Sequence, residues 1–187
     1  PLYEAKLIHQ FDHRWATYSM SNVAPDKEPR CRDLTDEEKR DPRLSIQPRY
    51  WVEEREVLAR IADAPKAVIK AWRTSDIVEL RKALLGPGIP RQLAALADSS
   101  DLLAAVGAWL EAKSPRWLMG WRDITNATNE RTVIASVLPR AGVGHKLPLL
   151  VSSKMEFLRA CKLANMNCLT FDFIARTKLG GTDLTYS

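Results

Sequence analysis

Trp117-Leu-Met-Gly-Trp121-Arg122-Asp-Ile-Thr125-Asn126-Ala-Thr128-Asn129-Glu-Arg131-Thr-Val133-Ile-Ala-Ser-Val-Leu-Pro139-Arg140 is the stretch on which the fold turns. Trp117, Met119 and Trp121 alternate before a polar centre. Val133, Ala135 and Val137 alternate after it, so both flanks read as strands. A hairpin built for stability alone closes with about two turn residues, commonly including glycine. This connection is longer and has no glycine, and it holds Thr125, Asn126, Thr128, Asn129 and two arginines. Those side chains either display extra hydrogen-bonding groups or satisfy their own backbone in turns. Both readings stand at this point.

Outward toward the C-terminus, residues 147–151 read as a further strand. Ser153 and Glu156 form a capping box that opens a helix near Lys154. Asn165-Met-Asn167 breaks or kinks that helix, and Lys178-Leu-Gly180-Gly181 closes it. Toward the N-terminus lies a helical block over residues 75–113, read as an inserted subdomain used for packing or contact. Ile77, Leu80, Leu84 and Leu85 share a helical face, and Gly86-Pro87-Gly88 ends it. A short helix over residues 92–97 follows, then a stripe of Leu102, Leu103, Val106, Trp109 and Leu110. Ahead of the block, residues 66–72 read as a short strand. A helix from near Glu53 carries Val57, Leu58 and Ile61 and stops before Pro65.

Residues 44–52 alternate like a strand, with Pro48 arguing for a sheet edge. Residues 3–11 alternate as Tyr3, Ala5, Leu7, His9 and Phe11, and residues 15–18 give a second strand. Residues 21–43 are a polar loop, with one helical turn expected after Thr35 from its capping box with Glu38. The expected fold class is α+β: a mixed or antiparallel sheet with strand hairpins, a long C-terminal helix and an inserted helical subdomain.

The 187 residues suffice to bury a core without disulfides. No apolar run approaches the roughly 18 residues of a membrane span, so no membrane partner is expected. The start, Pro1-Leu-Tyr-Glu-Ala-Lys, has no signal-peptide pattern, and its lack of an initiator Met fits a piece of a longer protein. Cys31, Cys161 and Cys168 show no metal or redox spacing, which suits inert thiols in a reducing cytosol. Cys161 and Cys168 on one helix would stand about 10 Å apart, too far for a disulfide.

Charge is uneven. Lys+Arg and Asp+Glu each number 9 in residues 1–50 and again 9 each in 51–114, but 10 against 5 in residues 115–187. The net +5 therefore sits in the segment that holds the polar centre. Such one-sided basic charge suits phosphate attraction. Phosphate-loop, dinucleotide and nucleophile-elbow motifs are absent from the sequence. His9 and His13 have no third ligand close in sequence, so a structural or phosphate-contacting role is expected over a metal site.

What remains is recognition chemistry. Arg pairs bidentately with guanine and Asn with adenine, Thr and backbone amides reach phosphates, and aromatic rings stack on unpaired bases. The DNA-binding candidates are His13, Arg14, Arg49, Trp51, Arg122, Asn126, Asn129, Arg131, Arg140, Lys146, Arg176 and Lys178, with Trp15 as a further aromatic. No catalytic or metal residues are assigned.

Four segments in fixed order resemble one family. They are residues 1–18 (Pro1-Leu-Tyr-Glu through Trp15-Ala-Thr-Tyr18), Pro48-Arg-Tyr-Trp-Val52, the stretch from Trp121 to Pro139, and Phe171-Asp-Phe-Ile-Ala-Arg-Thr-Lys-Leu-Gly-Gly-Thr182. Together they are similar to the target-recognition (specificity) region of large adenine-specific DNA methyltransferases. These are the Taq-type, fused restriction–modification and phage-defence methylases. The resemblance implies that residues 1–187 form a target-recognition-like domain from a larger bacterial cytoplasmic protein. Its partners would be double-stranded DNA and an upstream methyltransferase domain. That domain would use S-adenosylmethionine, bound at a Gly-rich loop, and an Asn-Pro-Pro-Tyr-like motif. Neither motif is among these residues, so the chain alone is expected to be non-catalytic and to hold no cofactor. Rival readings are a protein-interaction domain without DNA affinity, an RNA-binding domain, and a small hydrolase with an unseen site.

Overall fold

The computed structural model describes residues 1–19, 29–151 and 156–184. In chain order these form β1 (Leu2–Tyr3), β2 (Ala16–Ser19), β3 (Arg30–Asp33), α1 (Asp36–Arg40), α2 (Glu54–Ile61), α3 (Lys66–Arg73), α4 (Ile77–Leu84) and α5 (Arg91–Ala94). Then come α6 (Leu102–Lys113), β4 (Trp117–Trp121), β5 (Ala135–Pro139), β6 (Gly142–Val143), α7 (Glu156–Met166) and α8 (Leu169–Lys178). The class is α+β, as the sequence patterning implies. Contacts divide the chain into two units, Pro1–Trp51 with Trp117–Ser187, and Val52–Arg116.

In the first unit, β4 and β5 pair antiparallel with Trp121 opposite Ala135 and Trp117 opposite Pro139. Residues 147–150 run along the other edge of β4: Trp121 N donates to Pro148 O (3.2 Å) and Leu150 N to Met119 O (2.7 Å). Gly120 is what allows that approach, because a Cβ there would lie 2.7 Å from the Pro148 carbonyl oxygen. That oxygen is fixed by its bond to Trp121 N and cannot retreat cheaply. Gly120→Ala should therefore destabilise the chain by about 1–3 kcal/mol, read from the urea unfolding midpoint. An unchanged midpoint would show that residues 147–150 are not held there. Met119, Trp121, Ala135 and Leu163 form the local core.

Several sequence expectations are corrected in this unit. Residues 3–11 are not one strand. Only Leu2–Tyr3 pair, in parallel with β6, and Ala5–Leu7 form a 3-10 turn. Leu7 and Ile8 are both buried although adjacent, which does not fit the one-faced alternation expected of residues 3–11. A tight turn then joins His9 to Asp12, with Phe11 in the left-handed region at φ 60° and its ring exposed. Residues 44–52 are extended without forming a regular strand. Tyr18 N donates to Gln47 O and Leu2 N to Tyr50 O, while Thr17 Oγ1 accepts from Gln47 N. The polar loop contains β3, paired antiparallel with β2. Its capping box forms as expected: Thr35 accepts from Glu38 N, and Glu38 accepts from Thr35 N. Hydrogen bonding from Arg32 and the Thr35 backbone pulls the Glu38 carboxyl down to about 2. The Ser153–Glu156 capping box lies outside the described residues, as does the loop over 20–28.

The long C-terminal helix is two helices, α7 and α8, separated at Asn167–Cys168. α8 has inverted amphipathicity. Its one acid, Asp172, is buried, whereas Leu169 is 75% and Phe173 67% exposed.

In the second unit, α2–α6 close a core of Leu58, Val68, Trp72, Leu80, Leu84, Leu93, Val106 and Leu110. Asp76 and Asp101 cap α4 and α6 by accepting from Glu79 N and Ala104 N. Residues 66–72, read as a strand, are α3. Pro65 precedes the helix, and Val68, Ala71 and Trp72 form its buried i, i+3, i+4 face. The adjacent β-branched pair Val68-Ile69 gives the run a strand-like look that masks this spacing. Trp72 Nε1 donates to Leu103 O (3.0 Å), and its ring lies over Gly107 of α6.

Candidate nucleic-acid interface

The connection between β4 and β5 is fixed from both ends. Thr125 Oγ1 donates to Thr132 O (2.7 Å) across its base, and Thr125 N donates to Thr182 O (2.8 Å). At the tip, Asn126 Oδ1 accepts from Thr128 N (3.0 Å) and Thr128 Oγ1 (3.1 Å), and Asn129 N donates to Asn126 O (3.1 Å). This is an Asx turn that holds Asn126 to Asn129 in one shape. The tip residues Asn126, Thr128, Asn129 and Glu130 are exposed.

Behind the tip lies a polar network contributed by α8 and the junction between α7 and α8. Asp172 Oδ1 accepts from Thr132 N (2.8 Å) and Val133 N (2.7 Å). Arg176 Nη2 donates to Asn129 O (2.9 Å), Glu130 O (3.0 Å) and Asp172 Oδ2 (3.3 Å). The Asn167 amide matches the backbone of Ala135 twice, accepting from its N (3.1 Å) and donating to its O (2.9 Å). It thus acts as a one-residue strand on the free edge of β5. Arg131 Nη2 donates to Asn167 O. Asp172 and Asn167 are the organising residues that sequence reasoning missed. The available signal was a single acid within the apolar run Leu169–Ile174, where a buried partnered carboxylate is more plausible than a solvated one.

The candidate residues fall into two groups. In the first, the polar head is engaged within the fold. Arg14 donates to the carbonyls of Lys39 (2.5 Å), Asp41 (2.9 Å) and Leu44 (3.1 Å). Arg122 donates through Nε and Nη2 to Ile8 O, and burial lowers its pKa. Lys146 pairs with Asp183 (2.8 Å) and Asp123 (3.2 Å), which raise its pKa in that order of strength. Arg131 and Arg176 belong to the network above. Trp15 is held between His9, at 4.3 Å between ring centroids, and Lys39, 4.3 Å above its ring. Arg49 is half-buried and lies over the Tyr50 ring, and Arg140 is half-buried just past β5. His13 joins this group by burial alone: it is half-buried, and desolvation lowers its pKa.

The second group is exposed: Asn126, Asn129, Lys178 and Trp51, the last at 71%. Arg176 joins α8, which ends in Lys178, to the tip through the Asn129 and Glu130 carbonyls.

The first unit also holds a cavity of about 450 Å³ lined by Leu2, Glu4, Lys6, Tyr50, Arg122 and Ile124, and closed by residues 144–146. Among the described residues no cluster of His, Cys, Asp or Glu could hold a metal ion, and no helix is long and apolar enough to cross a membrane. No family model matches the chain, and neither a curated protein nor a solved structure matches it.

Proposed function

We propose that this chain is the DNA-binding, target-recognition part of an S-adenosylmethionine-dependent DNA adenine-N6 methyltransferase of the restriction–modification or phage-defence type, acting in the bacterial cytoplasm. The methyl-transfer domain and its cofactor belong to a part of the protein outside this chain. The resemblance of four ordered segments and the basic excess over residues 115–187 support the reading. The observation that carries it is the β4–β5 connection: Arg131, Arg176 and the Asp172 network turn inward to fix the loop, and the side chains of Asn126 and Asn129 stay exposed, Asn126 Oδ1 also capping the turn. A rigid tip bearing amides, near the Lys178 end of α8, suits reading base edges while lysine holds phosphate. Trp51 adds an exposed ring for contact with a sugar or base.

The test is fluorescence anisotropy of a labelled DNA duplex titrated with the chain at several salt concentrations. The reading expects binding whose log K falls with log salt at a slope of roughly −3 or steeper. Absence of binding at low salt, or affinity indifferent to salt, would overturn it. The second reading, a protein-contact domain, is favoured by one observation, the outward apolar residues of α8, and predicts that indifference to salt.

A further inference from the structure

The cavity in the first unit is built rather than incidental. Its walls are four segments joined by three backbone hydrogen bonds: Leu2 N to Tyr50 O (2.9 Å), Gly144 N to Tyr3 O (2.8 Å) and Asp123 N to Lys146 O (3.1 Å). About 450 Å³ lies within the range of small-molecule sites. Its apolar lining comes from Leu2 and Ala5 and from the exposed side chains of Tyr50 (49% exposed) and Ile124 (55% exposed). Arg49 braces the Tyr50 ring from 5.0 Å.

The charges on the lining are unequal in what they have left to give. Lys146 is matched by Asp123 and Asp183. Glu4 is occupied: its Oε2 accepts from Tyr18 Oη (2.5 Å), and its Oε1 lies 3.8 Å from Lys6 Nζ, too far for a strong hydrogen bond. Arg122 has a carbonyl partner, Ile8 O, and forms no ion pair among the described residues. Its carboxylate neighbour Asp33 acts on it only from beyond ion-pair distance, so this partly desolvated guanidinium keeps charge that an incoming anion would offset. Lys6, whose side chain is half exposed, stands on the same lining.

We propose that this cavity binds a planar ring carrying one phosphate group, the chemistry of a single nucleotide. The ring would lie against Tyr50 and Ile124, and the phosphate against Arg122 and Lys6. The site does not depend on the duplex-binding reading, since none of the exposed tip residues lines it. The nucleotide can come from solution or from an unpaired position in a strand.

The test is calorimetric titration of the chain with deoxyadenosine 5′-monophosphate, phenyl phosphate, deoxyadenosine and inorganic phosphate. The two ring phosphates are expected to bind with a Kd below about 1 mM, with deoxyadenosine and inorganic phosphate each at least about tenfold weaker. Lys6→Gln and Ile124→Ser, both on exposed side chains, should each weaken the monophosphate about fivefold or more. Arg122→Lys, checked for folding by circular dichroism, should do the same. Inorganic phosphate binding as tightly as the nucleotide, or affinity unmoved by both Lys6→Gln and Ile124→Ser, would overturn the proposal. A single-stranded trinucleotide that displaces the monophosphate assigns the ligand to a strand, and one that fails to displace it assigns the ligand to solution; both support the ring-phosphate site. Loss of duplex binding with retained monophosphate binding would sink the recognition reading and leave this site standing.

Discussion

Asp172→Ala should be the most damaging single substitution in the first unit, lowering stability by about 2–5 kcal/mol. The carboxylate is 4% exposed and accepts two backbone N–H groups, at 2.8 and 2.7 Å, from Thr132 and Val133. Alanine leaves both donors buried without a partner, and each such group costs its full desolvation. It also releases Arg176, which spans Asp172 and the carbonyls of Asn129 and Glu130. Asp172→Asn retains an acceptor and should lose roughly half as much, since a neutral acceptor bonds more weakly than a charged one. Urea unfolding of both variants checks this. A loss under about 1 kcal/mol for alanine would mean that the network does not hold the connection.

The second large effect is on DNA affinity rather than on folding. The combined change Asn126→Ala, Asn129→Ala and Lys178→Ala should lower duplex affinity about tenfold to a hundredfold, from the sum of lost base-edge and phosphate contacts. Stability should fall by no more than about 1 kcal/mol, from the loss of the Asn126 turn bonds. The Asn126 side chain bonds only with Thr128 within an exposed turn, Asn129 is tied through its backbone, and Lys178 is exposed. Anisotropy and unfolding measured on the same preparation separate the two quantities. Arg122→Ala and Arg131→Ala should show the reverse pattern, with stability falling first, because their guanidinium groups hold the carbonyls of Ile8 and Asn167. If the tip variant binds DNA as tightly as the parent, the division into fixed scaffold and outward tip is wrong.

What the sequence revealed depended on the length and purity of each pattern. The β4–β5 pair was legible because two alternating runs flank a polar break, and α2, α4 and α6 because their apolar stripes span two turns or more. α3, as long as α2 and α4, was misread because the adjacent β-branched pair Val68-Ile69 favours a strand and masks the helical spacing of Val68, Ala71 and Trp72. Residues 3–11 deceived for a different reason. Their alternation is genuine, but a 3-10 turn and the His9–Asp12 turn reorient the chain, and Gln10 Nε2 donates to Val133 O to hold that turn in place. The site followed the same logic. Residue types signalled hydrogen bonding around 122–131, yet they could not say which groups turn inward. That depends on Asp172 and Asn167, some forty residues away in sequence, and long-range partners leave no periodic trace. Arg122 and Arg131 stood out as the best contacts by type and are bound to the backbone in the fold. Asn126 and Asn129, equally consistent with plain turn chemistry, are the ones left exposed.

The central claim, that the 126–129 tip meets DNA while the network behind it stays fixed, is tested most directly by amide NMR of the isotope-labelled chain titrated with a DNA duplex. The side-chain amides of Asn126 and Asn129 and the backbone amides near Lys178 should shift or broaden. The Asn167 side-chain amide and the Thr132 and Val133 backbone signals should retain their positions, and residues 52–116 should stay silent. Shifts confined to residues 52–116, or none at the tip at saturating duplex, would contradict it.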